Sequence, residues 1–362
     1  MSRFEKETPT MPLITGFVLA LLAGITMGLS GWSIKLARVW KWENFWFVYA
    51  IVSLILAPTA LAYVLLPHLN SVYASLTARE LLLPFGFGLL WGLAQLGAGV
   101  TLYRLGLAVS GAVLNGVGVA VGTLIPLFLL HSNVLFEKSG LYILFGTAVT
   151  VAGVALCGWS GYRRENQAKS QGRGAGFSSS ESAMAQTGST PGQYILYLSI
   201  AVISGVLSSL LNISLAYSTG ILQKVVAQGG RPAWAPFAIW PIALLGGSVV
   251  NIAYSVYLLA KNKTWGYFGK KFGEVTYPTL MALMWMGGIA LYSSSTTFLG
   301  TLGVSIGFAM FTITMIICGQ MAAVFTGEWR MMKRSIYRSF YLGIFLLVVA
   351  VIAIGTANYY QR

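Results

Sequence analysis

Residues 39–66 read VWKWENFWFVYAIVSLILAPTALAYVLL, and this stretch decides the fold class. After a polar start around Lys41 and Glu43, an almost unbroken apolar run extends from Phe45 to Leu66. An α-helix rises about 1.5 Å per residue and the hydrocarbon core of a bilayer is about 30 Å thick, so about 20 apolar residues span it once. The stretch therefore predicts a transmembrane helix, with a carboxylate between two tryptophans at its start.

The rest of the chain has the same apolar character. Hydrophobic residues make up 56% of the 362 residues and charged residues only 9%, whereas a soluble domain carries about a quarter charged residues. The apolar runs are too long for the alternating strands of a membrane β-barrel. We therefore predict an all-α integral membrane protein with ten transmembrane helices, at about residues 12–34, 44–66, 81–103, 106–130, 140–162, 193–217, 235–260, 278–298, 302–325 and 336–356.

The basic residues predict an orientation. Sixteen of the 23 Lys and Arg residues fall in, or directly beside, the five loops that follow the odd-numbered helices. By the positive-inside rule these loops face the cytoplasm, so we expect a multi-pass membrane protein with both termini on the opposite side. The net charge of +14 is then mainly a topology signal and an attraction to anionic membrane lipids. We expect no nucleic-acid partner, because no soluble segment is long enough to fold into a basic domain.

The longest polar segment divides the chain into two halves. Residues 163–192 include the Gly- and Ser-rich run KSQGRGAGFSSSESAMAQTGST, which is typical of a flexible linker and is expected on the cytoplasmic side. Five predicted helices precede it in residues 1–162 and five follow it in residues 193–362.

The two halves resemble each other weakly. The run LWGLAQLGAG...YRLGLAVSG aligns with MWMGGIALYS...TFLGTLGVSIG, which pairs Trp91 with Trp285 and Gly106 with Gly300. After a one-residue gap, the same alignment pairs Val109-Ser110 with Val304-Ser305. Because each half contains an odd number of helices, the second half would enter the membrane from the opposite side. We therefore predict two inverted five-helix repeats, an architecture of many secondary transporters with the substrate near the bilayer midplane.

Several stretches resemble a known family. They are VWKWENFWFVYAIVSLILAP, LLWGLAQLGAGVTLYRLGLAVSGAVLNGVGVAVGTLIP, LLGGSVVNIAYSVYLLAKNK and LMALMWMGGIALY, which are similar to the bacterial L-rhamnose-proton symporter family of the drug/metabolite transporter superfamily. The resemblance implies ten helices and proton-driven uptake of a deoxyhexose-like sugar by alternating access. It also implies the bacterial inner (cytoplasmic) membrane, so the charge bias places both termini in the periplasm. The family pattern has an Asp in the ninth helix, whereas this chain contains no Asp and reads TLGVSIGFAMF there.

Ionisable chemistry is scarce in the predicted helices. Seven of the nine Glu residues fall in tails or loops, while Glu43 and Glu80 stand at helix starts. No catalytic triad, carboxylate pair or metal-ligand cluster can be assembled within the bilayer, and nucleotide-binding motifs are missing. We therefore expect neither an enzyme nor a metal or cofactor site. The alternative to a sugar importer is an exporter or exchanger of another small metabolite from the same superfamily.

A neutral sugar offers hydroxyl groups and an apolar ring face, so its site needs amides, hydroxyls and aromatic rings rather than charges. Buried amides also bond neighbouring helices together, so each amide has two interpretations, helix packing and sugar contact. The substrate-binding candidates are Trp32, Ser33, Trp91, Gln95, Asn115, Asn212, Asn251, Tyr254, Trp285, Tyr292 and Gln320.

Glu43 has two interpretations. At the cytoplasmic start of the second helix its carboxylate suits the positive end of the helix dipole, where it would cap the helix or pair with Lys41 or Arg38. Alternatively, a closing gate buries Glu43, so that desolvation favours its protonated form and the side chain serves as proton carrier or gate latch. The resemblance supports the second interpretation, because the family has a Glu in the same W-x-W-E context.

Overall fold

The computed structural model describes residues 13–170, 191–325, 327, 329–330 and 332–360. In these ranges the chain forms helices and turns without strands, and ten helical segments are long and apolar enough to cross a membrane. They are α1 (Leu13–Ser30), α2 (Trp42–Leu65), α3 (Ala78–Leu105), α4 (Leu107–Leu130), α5 (Lys138–Ser170), α6 (Gly192–Ala227), α7 (Trp240–Lys261), α8 (Thr276–Phe298), α9 (Gly303–Phe325) and α10 (Arg334–Tyr359). The prediction of an all-α membrane protein with ten transmembrane helices is confirmed.

The boundary between the predicted first half and linker differs from the structure. The linker was expected to begin at Arg163, whereas α5 continues to Ser170. The sequence RRENQAKS from Arg163 onward consists mostly of good helix formers, and the first Gly comes only at Gly172, so nothing in it ends the helix. Residues 171–190 lie outside the described residues, and the division into two five-helix halves stays a prediction.

The α2 helix is irregular in its middle. A π-helical turn, Val52–Leu56, separates the segments Trp42–Ile51 and Ala57–Leu65. Pro58, two residues after this turn, cannot donate a backbone hydrogen bond, and its ring crowds the carbonyl group of the preceding turn. A wider turn relieves this crowding. The proline in the quoted stretch therefore reshapes the helix without ending it.

Glycines bring two central helix pairs into backbone contact. The α1 helix packs on α8 and α9, and α3 packs on α6 and α7. A Cβ atom on Gly24 of α1 would lie 2.6 Å from the carbonyl oxygen of Phe311 in α9. A Cβ atom on Gly88 of α3 would lie only 1.6 Å from the carbonyl oxygen of Ala243 in α7. Any larger residue would force these helices apart, as expected of small-residue crossings in membranes.

The bundle has two ends, which we name by their residues. The terminal face is the end at which α1 begins and α10 ends. The basic face is the opposite end, with the connections after α1, α3, α5, α7 and α9. The α3–α4 turn at the basic face and the α8–α9 turn at the terminal face each contain a glycine with positive φ, +84° at Gly106 and +80° at Gly300. Side chains with a Cβ atom rarely adopt this conformation.

Candidate functional site

Aromatic and amide side chains from α2, α3, α7 and α8 form a closed series of contacts, the aromatic cluster (Trp46, Tyr49, Trp91, Asn251 and Trp285). The ring centres of Trp91 and Trp285 are 5.9 Å apart, those of Trp285 and Tyr49 are 6.4 Å apart, and those of Tyr49 and Trp46 are 4.9 Å apart. The indole N–H of Trp46 donates to Oδ1 of Asn251 at 3.1 Å. Asn251 in turn donates to the carbonyl oxygen of Gly247 at 2.9 Å. The Trp91 ring packs directly on Gly247, which closes the series.

The two tryptophans paired by the sequence alignment therefore meet each other in the structure. Among the described residues, no hydrogen bond is seen from the indole N–H groups of Trp91 and Trp285, and the fully buried indole nitrogens that lack a partner are instead those of Trp40 and Trp329. The N–H groups of Trp91 and Trp285 are therefore accessible to a ligand or to water. Two unpaired donors beside flat aromatic rings suit a ligand that has both hydroxyl groups and an apolar face.

A second polar contact joins α4, α6 and α8. The amide nitrogen of Asn212 donates to the carbonyl oxygen of Gly122 at 2.7 Å, and its Oδ1 accepts a hydrogen bond from the hydroxyl of Tyr292. The Tyr292 ring stacks on Phe311 of α9, with 5.1 Å between the ring centres. Asn212 and Asn251 thus both bond helices together in this state, which was the alternative considered for the amides.

Three other amides have no such role. Gln95, Asn115 and Gln320 are each partly buried, and no hydrogen bond joins their side chains to other residues in the described ranges. Gln95 lies one helical turn after Trp91 on the same face of α3, because residues four apart are neighbours on a helix. These amides are available to a ligand or to water.

The remaining candidates lie away from the centre. Trp32 is 55% exposed in the 3₁₀ turn after α1, and no ring contact joins it to the aromatic cluster in the described part of the chain. Ser33 is buried, but its hydroxyl donates to the carbonyl oxygen of Ser30 in its own turn, at 3.1 Å. Tyr254 contacts the ring of Trp42, with 6.3 Å between the ring centres. The structure therefore does not bring Trp32 and Ser33 to the cluster, and Tyr254 reaches only its edge.

Glu43 is buried at the basic face, with 7% exposure. Its Oε1 accepts hydrogen bonds from Oγ1 of Thr264 at 2.8 Å and from Nδ2 of Asn262 at 3.0 Å. Lys41, one of the two cations expected to pair with it, instead places its Nζ 5.6 Å from the ring centre of Tyr267. Glu43 thus joins the first turn of α2 to the end of α7 through neutral donors.

Glu274 is a second buried carboxylate at the basic face, and sequence reasoning missed it. It was counted among the loop residues, whereas it is only 1% exposed at the start of α8. Its carboxylate accepts backbone N–H bonds from Arg38, Val39 and Trp40, at 3.2, 3.0 and 2.8 Å. Successive backbone N–H groups form a concave site for an anion. Glu274 thus ties the α1–α2 loop to α8, and no signal in a single sequence reveals this pairing.

The sequence matches the family described as L-rhamnose-proton symport protein (RhaT) over residues 12–264. The chain belongs to this family. Among similar curated proteins is the L-rhamnose-proton symporter of Mannheimia succiniciproducens, which is 23% identical over 334 residues, covering 88% of this chain and 91% of the relative. The L-rhamnose-proton symporter of Escherichia coli (strain 55989 / EAEC) is 25% identical over 335 residues, covering 90% and 92%.

Membership of the L-rhamnose-proton symport protein family confirms the resemblance seen in the sequence. This family consists of transporters, and the chain is a multi-pass membrane protein with transport rather than catalysis as its role.

Proposed function

We propose that this protein is a secondary transporter of the bacterial inner membrane that imports a small neutral sugar of the L-rhamnose type together with a proton, by alternating access. The observation that carries the proposal is the family match over residues 12–264 together with symporter relatives that align with 88% to 90% of the chain. The chemistry of the centre of the bundle supports the same substrate class.

The aromatic cluster suits a sugar. Its rings offer flat apolar surfaces for a pyranose face, and the free indole N–H groups of Trp91 and Trp285 are donors for hydroxyl groups. Gln95 on the same face as Trp91 adds both a donor and an acceptor. We propose Trp91, Gln95 and Trp285 as the main sugar contacts, with Asn115 and Gln320 as further contacts along the path.

Glu43 is our proposed site of proton coupling. The chain contains no Asp, so a proton carrier of the carboxylic acid type has to be a Glu. Glu43 accepts hydrogen bonds only on Oε1 from its two described partners, which leaves Oε2 available for a proton. Loss or gain of that proton at the junction of α2 and α7 would change how firmly the basic face is closed.

The inverted-repeat architecture is supported by two features. The glycines that the alignment pairs, Gly106 and Gly300, both have positive φ, although they lie at opposite faces. If the halves are repeats, α1 corresponds to α6, α3 to α8 and α4 to α9. The packing follows this correspondence, since α1 packs on α8 and α9 while α6 packs on the equivalent helices α3 and α4. We propose that the two halves are related by a pseudo-two-fold axis in the membrane plane, the arrangement that permits alternating access.

The test is sugar accumulation in proteoliposomes that contain the purified protein. With labelled L-rhamnose outside, a pH gradient that is acidic outside should drive accumulation above the outer concentration. A protonophore should reduce uptake to equilibration, and protein-free liposomes give the background. Absence of uptake under both conditions would contradict sugar transport, while gradient-insensitive uptake would contradict proton coupling alone.

A further inference from the structure

A cavity of about 340 Å³ lies at the terminal face where α4, α6 and α9 meet. Its volume is within the range of about 300 to 1,000 Å³ for small-molecule sites. Polar groups in its wall come from His131 after α4, Tyr217 and Thr219 in α6, Thr301 just before α9, and Ser305 in α9. No charged side chain lines it, so the cavity matches a neutral ligand.

The cavity lies above the Asn212–Tyr292 contact. Ala216 in its wall follows Asn212 by one helical turn of α6, and Pro126 follows Gly122, the acceptor of the Asn212 amide, by one turn of α4. Because residues four apart share a helix face, the cavity and this contact are stacked along the same helices. The Asn212–Tyr292 contact therefore lies between the cavity and the middle of the bundle.

Ser305 is the most informative residue of the wall. It is 1% exposed, and its hydroxyl has no hydrogen-bond partner within the described ranges. A buried hydroxyl without a partner is unfavourable, so a ligand in the cavity would satisfy it. The imidazole of His131 also has no hydrogen-bond partner in the described part of the chain. Burial lowers the pKa of His131 below its ordinary value, and a neutral imidazole offers one donor and one acceptor.

We propose that this cavity is an outer vestibule for the sugar, in which the Ser305 hydroxyl and the His131 imidazole hydrogen-bond its hydroxyl groups and Tyr217 contacts its apolar face. From there the sugar moves inward when the Asn212–Tyr292 contact opens. The vestibule is separate from the aromatic cluster, and the inference rests on the proposed sugar transport.

The test compares sugar affinity from the two faces in proteoliposomes of known protein orientation. Ser305→Ala should raise the half-saturating concentration of L-rhamnose offered at the terminal face about 5- to 50-fold, the usual effect of leaving a ligand hydroxyl unpaired. Affinity for sugar offered at the basic face should stay within twofold of wild type. His131→Gln should also raise the half-saturating concentration at the terminal face. Gln keeps a donor and an acceptor group but holds them in other positions than the imidazole does, so the hydrogen bonds to the sugar would be misplaced.

Ser110→Ala is the matched control. The alignment pairs Ser110 with Ser305, and it is likewise buried without a partner, but it lies near the basic face. It should leave the terminal-face affinity unchanged. Thermal stability of Ser305→Ala should be at least that of wild type, because the variant loses an unsatisfied group.

Three outcomes would overturn the vestibule. Unchanged terminal-face affinity in Ser305→Ala and His131→Gln would assign the cavity to packing, and an equal loss at both faces would assign Ser305 to the common transport site. If Ser110→Ala lowered the terminal-face affinity as much as Ser305→Ala, the effect would not depend on the position of Ser305 in the cavity wall. Wild-type protein that takes up no labelled sugar from either face would instead contradict the proposed transport, and the vestibule with it.

Discussion

At the scale of single residues, Glu43 allows a sharp experiment. Glu43→Gln keeps the size of the side chain and an oxygen that can accept the hydrogen bonds of Asn262 and Thr264, but it cannot carry a proton. If Glu43 is the carrier, the variant should bind sugar and exchange it down a sugar gradient while losing accumulation driven by a pH gradient. If the side chain only supports the start of α2, Gln should cost at most about 1 kcal/mol of stability and leave accumulation intact.

The measurement is accumulation of labelled sugar with and without an imposed pH gradient. Glu80→Gln is a suitable comparison, because Glu80 also stands in the first turn of a helix but bonds Lys224 at the terminal face, with 2.7 Å between Nζ and Oε2. It should retain accumulation. Normal gradient-driven accumulation by Glu43→Gln would end the carrier proposal.

Gln95 and Asn115 are expected to bind the sugar, since neither has a protein partner in the described ranges. Replacement of either by Ala should weaken L-rhamnose binding by about 1 to 3 kcal/mol, measured as a loss of ligand-induced thermal stabilisation. Their own stability without sugar should be close to wild type. Asn212→Ala provides the contrast, because it breaks bonds to α4 and α8 and should destabilise the protein even without sugar. Unchanged sugar affinity would assign Gln95 or Asn115 to another role.

Residue roles could be predicted from the sequence only in part. The alignment of Trp91 with Trp285 identified a pair that meets in the centre, which is what we expect of equivalent residues near the proposed pseudo-two-fold axis. It could not separate Gln95 from Asn212, although both are amides in apolar helices. That difference depends on whether a carbonyl group of another helix, such as that of Gly122, lies within reach, and helix packing decides this rather than local sequence.

At the scale of elements, the crossing of α3 and α7 should depend on Gly88. Gly88→Ala places a methyl group 1.6 Å from the carbonyl oxygen of Ala243, so the backbones must separate. We expect a loss of about 1 to 3 kcal/mol, the usual cost of overpacking. Gly99→Ala is the matched control in the same helix, because nothing lies within 4 Å of its added methyl group. It should be neutral or stabilising by up to about 1 kcal/mol, as expected for Gly to Ala in a helix.

Thermal unfolding of both variants in the same detergent distinguishes these effects. Equal stability of Gly88→Ala and Gly99→Ala would mean that α3 and α7 do not cross at Gly88. The contact of Gly88 could not be predicted from the sequence, because it depends on the position of α7 rather than on a local motif.

Glu274, like Glu43, is a buried carboxylate that joins two segments at the basic face. Removal of its carboxylate in Glu274→Ala leaves the backbone N–H groups of Arg38, Val39 and Trp40 without their acceptor, so the α1–α2 loop should detach from α8. A cysteine introduced at Val39, which is partly buried, should then react faster with a water-soluble maleimide. Glu274→Gln, which retains one acceptor oxygen, should give an intermediate rate. An unchanged rate in Glu274→Ala would show that other contacts hold the loop.

At the scale of the whole molecule, hydrophobicity alone predicted the all-α membrane class and the number of transmembrane helices. This was possible because the length of each apolar segment is set by the thickness of the bilayer rather than by packing. The arrangement of the spans was a different problem. Family resemblance and internal similarity suggested two related halves, but the α5 helix continued to Ser170 where a linker was expected. The reason is that helix propensity continues past the membrane boundary, which hydropathy does not register.

The orientation of the molecule is the last prediction, and every assignment of a gate to a side depends on it. The loops and helix ends assigned to the basic face contain sixteen of the 23 Lys and Arg residues, and translocation of basic segments is disfavoured, so the terminal face should be periplasmic. A periplasm-active reporter fused after Arg362 should therefore be active, whereas the same reporter inserted after Gly176 in the segment between the halves should be silent. A cytoplasm-active reporter at the two positions should give the reverse pattern. Activity of the periplasmic reporter at Gly176 alone would invert the topology, place Glu43 outside and make the vestibule beside Ser305 an exit rather than an entrance.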